Sequence, residues 1–379
     1  MNSRERVVLA LNHKEPDRVP IDFGGVTTSM QVDAYNALIK YLGLPVQKAK
    51  ITDLFQNIVD PSLELKKKFH SDIIGVYANA GKKWKLEIDP ITNAWTDEWG
   101  ITYVRPLGGY WYDFKNHPLK DGTIKELENY KWPDPEDPNR IKGLEKKVKE
   151  IYENTDKAII KYAGKAGIFE QSFFLRGMEN LFTDMAFNLK YVEALAEKIL
   201  EWDLAWFKHV LEAVGEYIQV VQIGDDLGSM DGPLFSPKIY RKIYKPRHRQ
   251  LIEFFHRKVP KVKIFLHSCG SIYEYLPDII EIGIDIINPV QVSARNMESC
   301  KLKKEFGHDL VFWGGGGDAS KAMSLYTPLQ LKEEVKRRIN DFAPGGGFVF
   351  GSVHNIQADV PPENVVAFFE AAYEYGVYK

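Results

Sequence analysis

Apolar residues fall along this chain in eight short runs, separated by longer stretches whose apolar positions recur every three to four residues. The runs cover residues 18–24, 72–77, 158–163, 217–223, 262–266, 284–289, 310–313 and 348–352. Most stop at Gly or a polar residue before a helical pattern resumes. Several are largely apolar, as at Ile284-Asp285-Ile286-Ile287, which suits strands buried on both faces of a parallel sheet. The intervening segments read as helices. Leu331, Val335 and Ile339 share one stripe. Ser236-Pro237 and Thr327-Pro328 supply an N-cap followed by Pro at the first helical position, and Pro361-Pro362-Glu363 resembles another helix start. Strand–helix alternation over residues 1–379 predicts a single (β/α)8 TIM-like barrel domain.

One stretch, residues 82–116, breaks the pattern. Residues 84–89, 97–104 and 110–114 alternate polar and apolar positions between Pro, Asn and Gly turns. That spacing predicts a β-hairpin or meander inserted after the second barrel strand. Residues 132–138, with Pro133, Pro135 and Pro138, read as a rigid loop returning to the barrel.

Composition narrows the class of function. With 44% hydrophobic and 13% aromatic residues in 379, a large core is easily supplied. A formal net charge of −2 leaves no basic footprint for nucleic acid. No apolar run approaches the ~20 residues that a membrane span needs. The N-terminus opens an amphipathic helix rather than a signal peptide. The two cysteines, Cys269 and Cys300, make no disulfide framework, so a reducing cytoplasm is the expected compartment.

Barrel enzymes build their sites at the carboxyl ends of the strands. Strand five ends in His267-Ser268-Cys269-Gly270, and period-two alternation points the imidazole and the thiol to one side. That pair is a natural half-site for Zn²⁺, although a free Cys is also a common small core residue. Of nine histidines only His267 and His354 fall at strand ends, and His354 follows strand eight. With Cys269 they would make three ligands and leave a fourth position open, as catalytic zinc requires. The alternative for His354 is a hydrogen-bonding role at the rim. His209, His248 and His256 read as residues of solvated helix faces, and Cys300 lies in the helical stretch 296–305, away from any strand end.

Asp225 and Asp226 end strand four. They are candidates for acid–base work or for holding a substrate hydroxyl, and equally for capping the following loop and helix. The Gly314–Gly317 run after strand seven permits close backbone approach to a ligand or an anion nest, which makes Gly315 a substrate-binding candidate. It lacks the Lys and Ser/Thr of a P-loop, so nucleotide binding is not expected. Glu170 after strand three and Asn355 after strand eight complete the rim candidates for substrate. The aromatic residues of the insertion either line an aromatic or tetrapyrrole pocket or form the insertion's own core.

Five stretches together resemble the uroporphyrinogen decarboxylase superfamily over essentially the whole chain. They are Arg4-Glu5-Arg6-Val7 with Glu15-Pro16-Asp17-Arg18-Val19-Pro20, Gly224-Asp225-Asp226, His267-Ser268-Cys269-Gly270, and residues 353–364 from Val353-His354-Asn355 to Pro361-Pro362-Glu363-Asn364. The resemblance implies a TIM-like barrel with its site in the mouth. Decarboxylases proper carry an Arg-rich motif after the first strand for substrate carboxylates. Here that stretch is Asp22-Phe23-Gly24-Gly25-Val26-Thr27-Thr28, without Arg. A many-carboxylate substrate cannot be desolvated unpaired, so haem-pathway decarboxylation is not expected.

The chain is more similar to the superfamily's other branch, the zinc- and cobalamin-dependent methyltransferases, which include methylcobalamin:coenzyme M enzymes and O-demethylases. Their His-x-Cys zinc motif is matched by His267 and Cys269, while a later Cys is replaced by His354. Imidazole in place of thiolate removes one negative charge and makes zinc a stronger Lewis acid. The resemblance then implies O-demethylation: a small methoxylated donor, such as a methoxyarene, passing its methyl group to Co(I) of a corrinoid. No D-x-H-x-x-G cobalamin motif occurs, so the corrinoid is expected on a partner protein. The alternatives are methylcobalamin-to-thiol transfer, a decarboxylase-like lyase, and a tetrapyrrole carrier without turnover.

Overall fold

In the computed structural model, which describes residues 1–25, 27–45 and 49–378, seven parallel strands pair in chain order around a curled sheet. They are β2 (Ile73–Val76), β3 (Ala158–Tyr162), β4 (Val220–Gly224), β5 (Lys263–His267), β6 (Ile286–Asn288), β7 (Val311–Trp313) and β8 (Phe348–Val349). The eighth stave, β1 (residues 20–22), closes the ring. Asp22 N–H donates to Phe350 O and Phe350 N–H to Pro20 O, each at 2.8 Å, while Asp72 N–H donates to Ile21 O at 2.8 Å. The strand–helix alternation therefore does form a TIM-like barrel, with long helices such as Leu189–Val214 and Pro328–Phe342 outside it.

Alternation along each stave sorts the core. On β3, Ile160 and Tyr162 point inward with Val220, Phe265, Ile286, Val311, Trp313 and Val349. Val7 and Leu11 of the Ser3–Leu11 helix join the same cluster, so this helix plugs the amino end of the barrel. Burying each contributes about 1.5–3 kcal/mol.

The N-terminal motif belongs to the seam of the barrel. Asp72 is fully buried and accepts from Arg6 Nη1 (2.8 Å), Arg18 Nη1 (2.8 Å) and the Ile21 amide (2.9 Å). Arg6 is in turn fixed by Asp17 at 2.6 Å. These ions tie the first stave to the second at the end opposite the mouth.

Two features depart from the sequence pattern. The insertion is a three-stranded antiparallel sheet of Ala94–Thr96, Thr102–Val104 and Asp113–Asn116, and residues 84–89 form no strand. Leu86 and Ile88 stay exposed, so their alternation has no face to pack against. Trp95 stacks on Tyr103 at 4.4 Å and meets Tyr112 edge-on at 5.9 Å; these three buried rings form the core of the insertion, while Tyr110 and Trp111 stay exposed. A second antiparallel sheet, Met30–Gln31, Lys50–Asp53 and Ile58–Asp60, was not legible as strands. It reaches the mouth where Gln31 N–H donates to Ile356 O and Ile356 N–H to Ser29 O. Among the described residues no helix is long and apolar enough to cross a membrane.

Candidate metal centre in the barrel mouth

β5 delivers His267 at its last position, and Ser268 N–H donates to Asn288 O at the end of β6 before the chain turns at Gly270. Gly270 has φ +79°, a conformation that favours glycine. Cys269 is thereby held two residues beyond His267, its amide donating to Asp226 Oδ1 at 2.7 Å. Its Sγ lies 3.5 Å from His267 Nε2. His354 comes from the loop after β8, itself at φ +67° with its carbonyl accepting from Ser352 Oγ. One ligand atom from each of His267, Cys269 and His354 lies within 4.8 Å of the others. The structure thus assembles the three residues that the sequence singled out.

The surroundings prepare them as ligands. His267 Nδ1 donates to Asn288 Oδ1 at 2.7 Å, and Asn288 Nδ2 donates to Trp313 O at 2.9 Å, which fixes the amide orientation. The imidazole therefore turns a lone pair on Nε2 toward Cys269, the arrangement that metal-binding histidines use. Burial, and then the neighbouring His267, lower the His354 pKa to about 4, so this ring is neutral at physiological pH. Burial, with Asp226 and Glu170 close by, pushes the Cys269 thiol well above its usual range. A thiol so disfavoured as an anion gains most from a cation beside it.

Asp226 stands 3.8 Å from His267 Nε2. Glu170, from the helix Ile168–Arg176, faces the same space. A side chain on Gly224 would meet its Oε2 at 3.7 Å and His267 Cβ at 3.8 Å. Burial and the charges of Asp226 and Asp225 raise the Glu170 carboxyl well above the usual range. His267, Cys269 and His354 form a nitrogen and sulfur donor set of the kind Zn²⁺ takes, with the carboxyls of Asp226 and Glu170 near it.

The other candidates lie elsewhere. Asp225 is buried and its oxygens are taken: Phe169 N–H (3.0 Å), Glu170 N–H (2.7 Å) and His248 Nε2 (2.9 Å) all donate to it. It caps a helix, and of the two aspartates only Asp226 joins the trio. Gly315 packs behind the barrel wall, where a Cβ would come within 2.9 Å of Val290 Cβ and 3.5 Å of Phe342 Cε2. The glycine run is a packing device, not an open nest. Asn355 is buried and accepts from Ser29 N–H at 3.0 Å, tying the β8 loop to the extra sheet. Cys300 sits exposed on the helix Ser299–Phe306, outside the site.

His248 reverses its expected placement. It is buried, and the spacing of Tyr244, His248, Leu251, Ile252 and Phe255 on one helical stripe was the signal that could have shown it.

Fold and site define a TIM-barrel protein with a His-Cys-His candidate metal centre in its mouth. Residues 113–375 match the sequence profile of the uroporphyrinogen decarboxylase (URO-D) family, and the chain belongs to that family. It is 25% identical over 280 residues to a uroporphyrinogen decarboxylase of Psychromonas ingrahamii, covering 71% of this chain and 74% of that one. A second, from Pseudoalteromonas atlantica, is 26% identical over 260 residues, covering 67% and 69%. Among solved structures, a methyltransferase from Methanosarcina mazei shares the fold at TM-score 0.63 and 17% identity, with 99% of each chain covered.

Proposed function

We propose that this protein is a zinc-dependent methyltransferase that moves a methyl group from a methoxylated donor, such as a methoxyarene, to the Co(I) corrinoid of a partner protein. The observation that carries the reading is the convergence of His267, Cys269 and His354 within 4.8 Å, with His267 oriented by Asn288. These three residues would hold Zn²⁺, which when bound supplies Lewis-acid activation of the donor oxygen. A neutral His354 in place of a second thiolate keeps that acidity high and favours an oxygen leaving group over a thiolate acceptor. Asp226 and Glu170 face the same space, and either can hold a donor hydroxyl.

Against the decarboxylase reading favoured by the curated relatives, the first stave turns an acid toward the interior. Asp22 is buried, accepts from Thr28 Oγ1 (2.6 Å) and Trp313 Nε1 (2.8 Å), and burial pushes it up to about 6. A polycarboxylate substrate needs cations at that place.

The test replaces His267 and Cys269 singly by Ala. Bound zinc, by elemental analysis, and methylation of Co(I) cobalamin by methoxyarenes, by visible absorption, should fall together. Zinc content unchanged from the parent protein would sink the metal assignment, and carbon dioxide release from uroporphyrinogen would restore the decarboxylase.

A further inference from the structure

The helix Ile168–Arg176, which carries Glu170, begins without a side-chain cap of its own, since its N-cap is Gly167. Asp225 supplies that cap from the end of β4 by accepting from the Phe169 and Glu170 amides, at 3.0 and 2.7 Å. The carboxylate is not free to swing, because His248 Nε2 donates to Oδ2 at 2.9 Å from the helix Lys245–Lys258. His248 is held from behind by Tyr240, whose hydroxyl lies 3.3 Å from Nδ1. With the carboxylate accepting at Nε2, Nδ1 is left to accept from that hydroxyl.

Nor can the helix slide. A Cβ on Gly167 would fall 1.8 Å from Gly224 O, so the first turn rests directly on the strand end. This contact places the Glu170 carboxyl near His267: a Cβ on Gly224, where the first turn rests, would lie 3.7 Å from Glu170 Oε2 and 3.8 Å from His267 Cβ.

We infer that His248, acting through Asp225, is a positioning residue that holds Glu170 against the metal-binding trio. It touches neither the trio nor the open mouth. Its effect passes along His248, Asp225 and the Glu170 amide to the Glu170 side chain. This inference rests on the metal reading of His267, Cys269 and His354, and it extends the working site to a helix on the barrel's outer layer.

The test is a double-mutant cycle read by Co²⁺ affinity, using metal alone and the full-length chain. H248A and E170Q should each weaken Co²⁺ binding about tenfold, the lower end of losses for residues that orient metal ligands. The H248A/E170Q protein should bind no more weakly than E170Q alone, because His248 acts only through Glu170. H248Q, which can still donate to Asp225, should stay within about threefold of the parent, whereas a purely structural histidine would show no such rescue in affinity. If H248A does not fold, D225N with E170Q gives the same cycle without opening a cavity. Additive losses of about 100-fold in the double variant, or parental affinity in H248A, would overturn the inference alone. Absence of the Cys269-dependent thiolate-to-cobalt absorption in the parent protein would overturn the metal reading and this inference with it.

Discussion

Replacing Asn288 by Ala separates the orientation of a ligand from the ligand itself. Asn288 is fully buried and makes two bonds with opposite roles, accepting from His267 Nδ1 at 2.7 Å and donating to Trp313 O at 2.9 Å. Truncation strands both partners in the barrel interior. Each orphaned polar group costs about 1–3 kcal/mol, so N288A should lose roughly 2–6 kcal/mol of stability in urea unfolding of the metal-free protein. The imidazole is then free to rotate or change tautomer. Zinc affinity, from competition with a chromogenic chelator, should fall about 10–100-fold, or roughly 1.4–2.7 kcal/mol. N288D sharpens the comparison. A carboxylate still accepts from His267 and raises its basicity, but it cannot donate to Trp313 O. N288D should therefore lose stability while keeping its zinc affinity. Parental affinity in N288A would refute the claim that Asn288 sets the His267 lone pair, and equal losses in both variants would refute the role assigned to the acceptor.

Three further outcomes follow from the electrostatics. Zinc affinity should rise with pH through the neutral and alkaline range, because Cys269 must shed a proton that burial holds in place, whereas His354 is already neutral above about 4. Calorimetry in two buffers of different ionisation enthalpy should show proton release, and C269S should flatten the pH slope. A carboxyl whose folded pKa is raised favours the folded state only while protonated, so the metal-free protein should lose stability as pH rises from about 4.5 toward neutrality. E170Q should flatten this loss and be the more stable protein at pH 7 in thermal unfolding with chelator present; Asp22 and Asp203, both raised to about 6 by burial, contribute the same trend and remain in the variant. Finally, D72A should lose about 3–5 kcal/mol in denaturant unfolding, since two guanidinium groups are left facing each other at the seam.

The repeating architecture was legible because strand–helix alternation is a local signal repeated eight times. The trio was legible because strand ends are where a barrel displays chemistry, and only two histidines fall there. What escaped was set by tertiary packing. Two adjacent aspartates look alike in sequence, yet Asp225 is spent on the Ile168–Arg176 helix and His248 while Asp226 faces His267. Gly315 read as an open loop because glycine signals close approach without saying to what, and here the neighbour is Val290. The sheet around Met30 and Ile58 is built from strands of two to four residues, too short to show alternation. His248 was misplaced by weighing its polarity above its position on an apolar stripe.

The ring of staves closes where β1 meets β8, through residues more than three hundred positions apart in sequence. His354 follows that junction by a few residues, whereas His267 and Cys269 stand on β5. A cation shared among them would work as a cross-brace, shortening the chain path between β5 and the closing edge in any partly opened form. Loss of metal should then register beyond the site: faster amide exchange at Phe350 and Asp22 than at Leu266 or Val221, which are paired on both sides within the sheet. On the proposed function, the ion that would activate the donor would also be the clasp of the barrel.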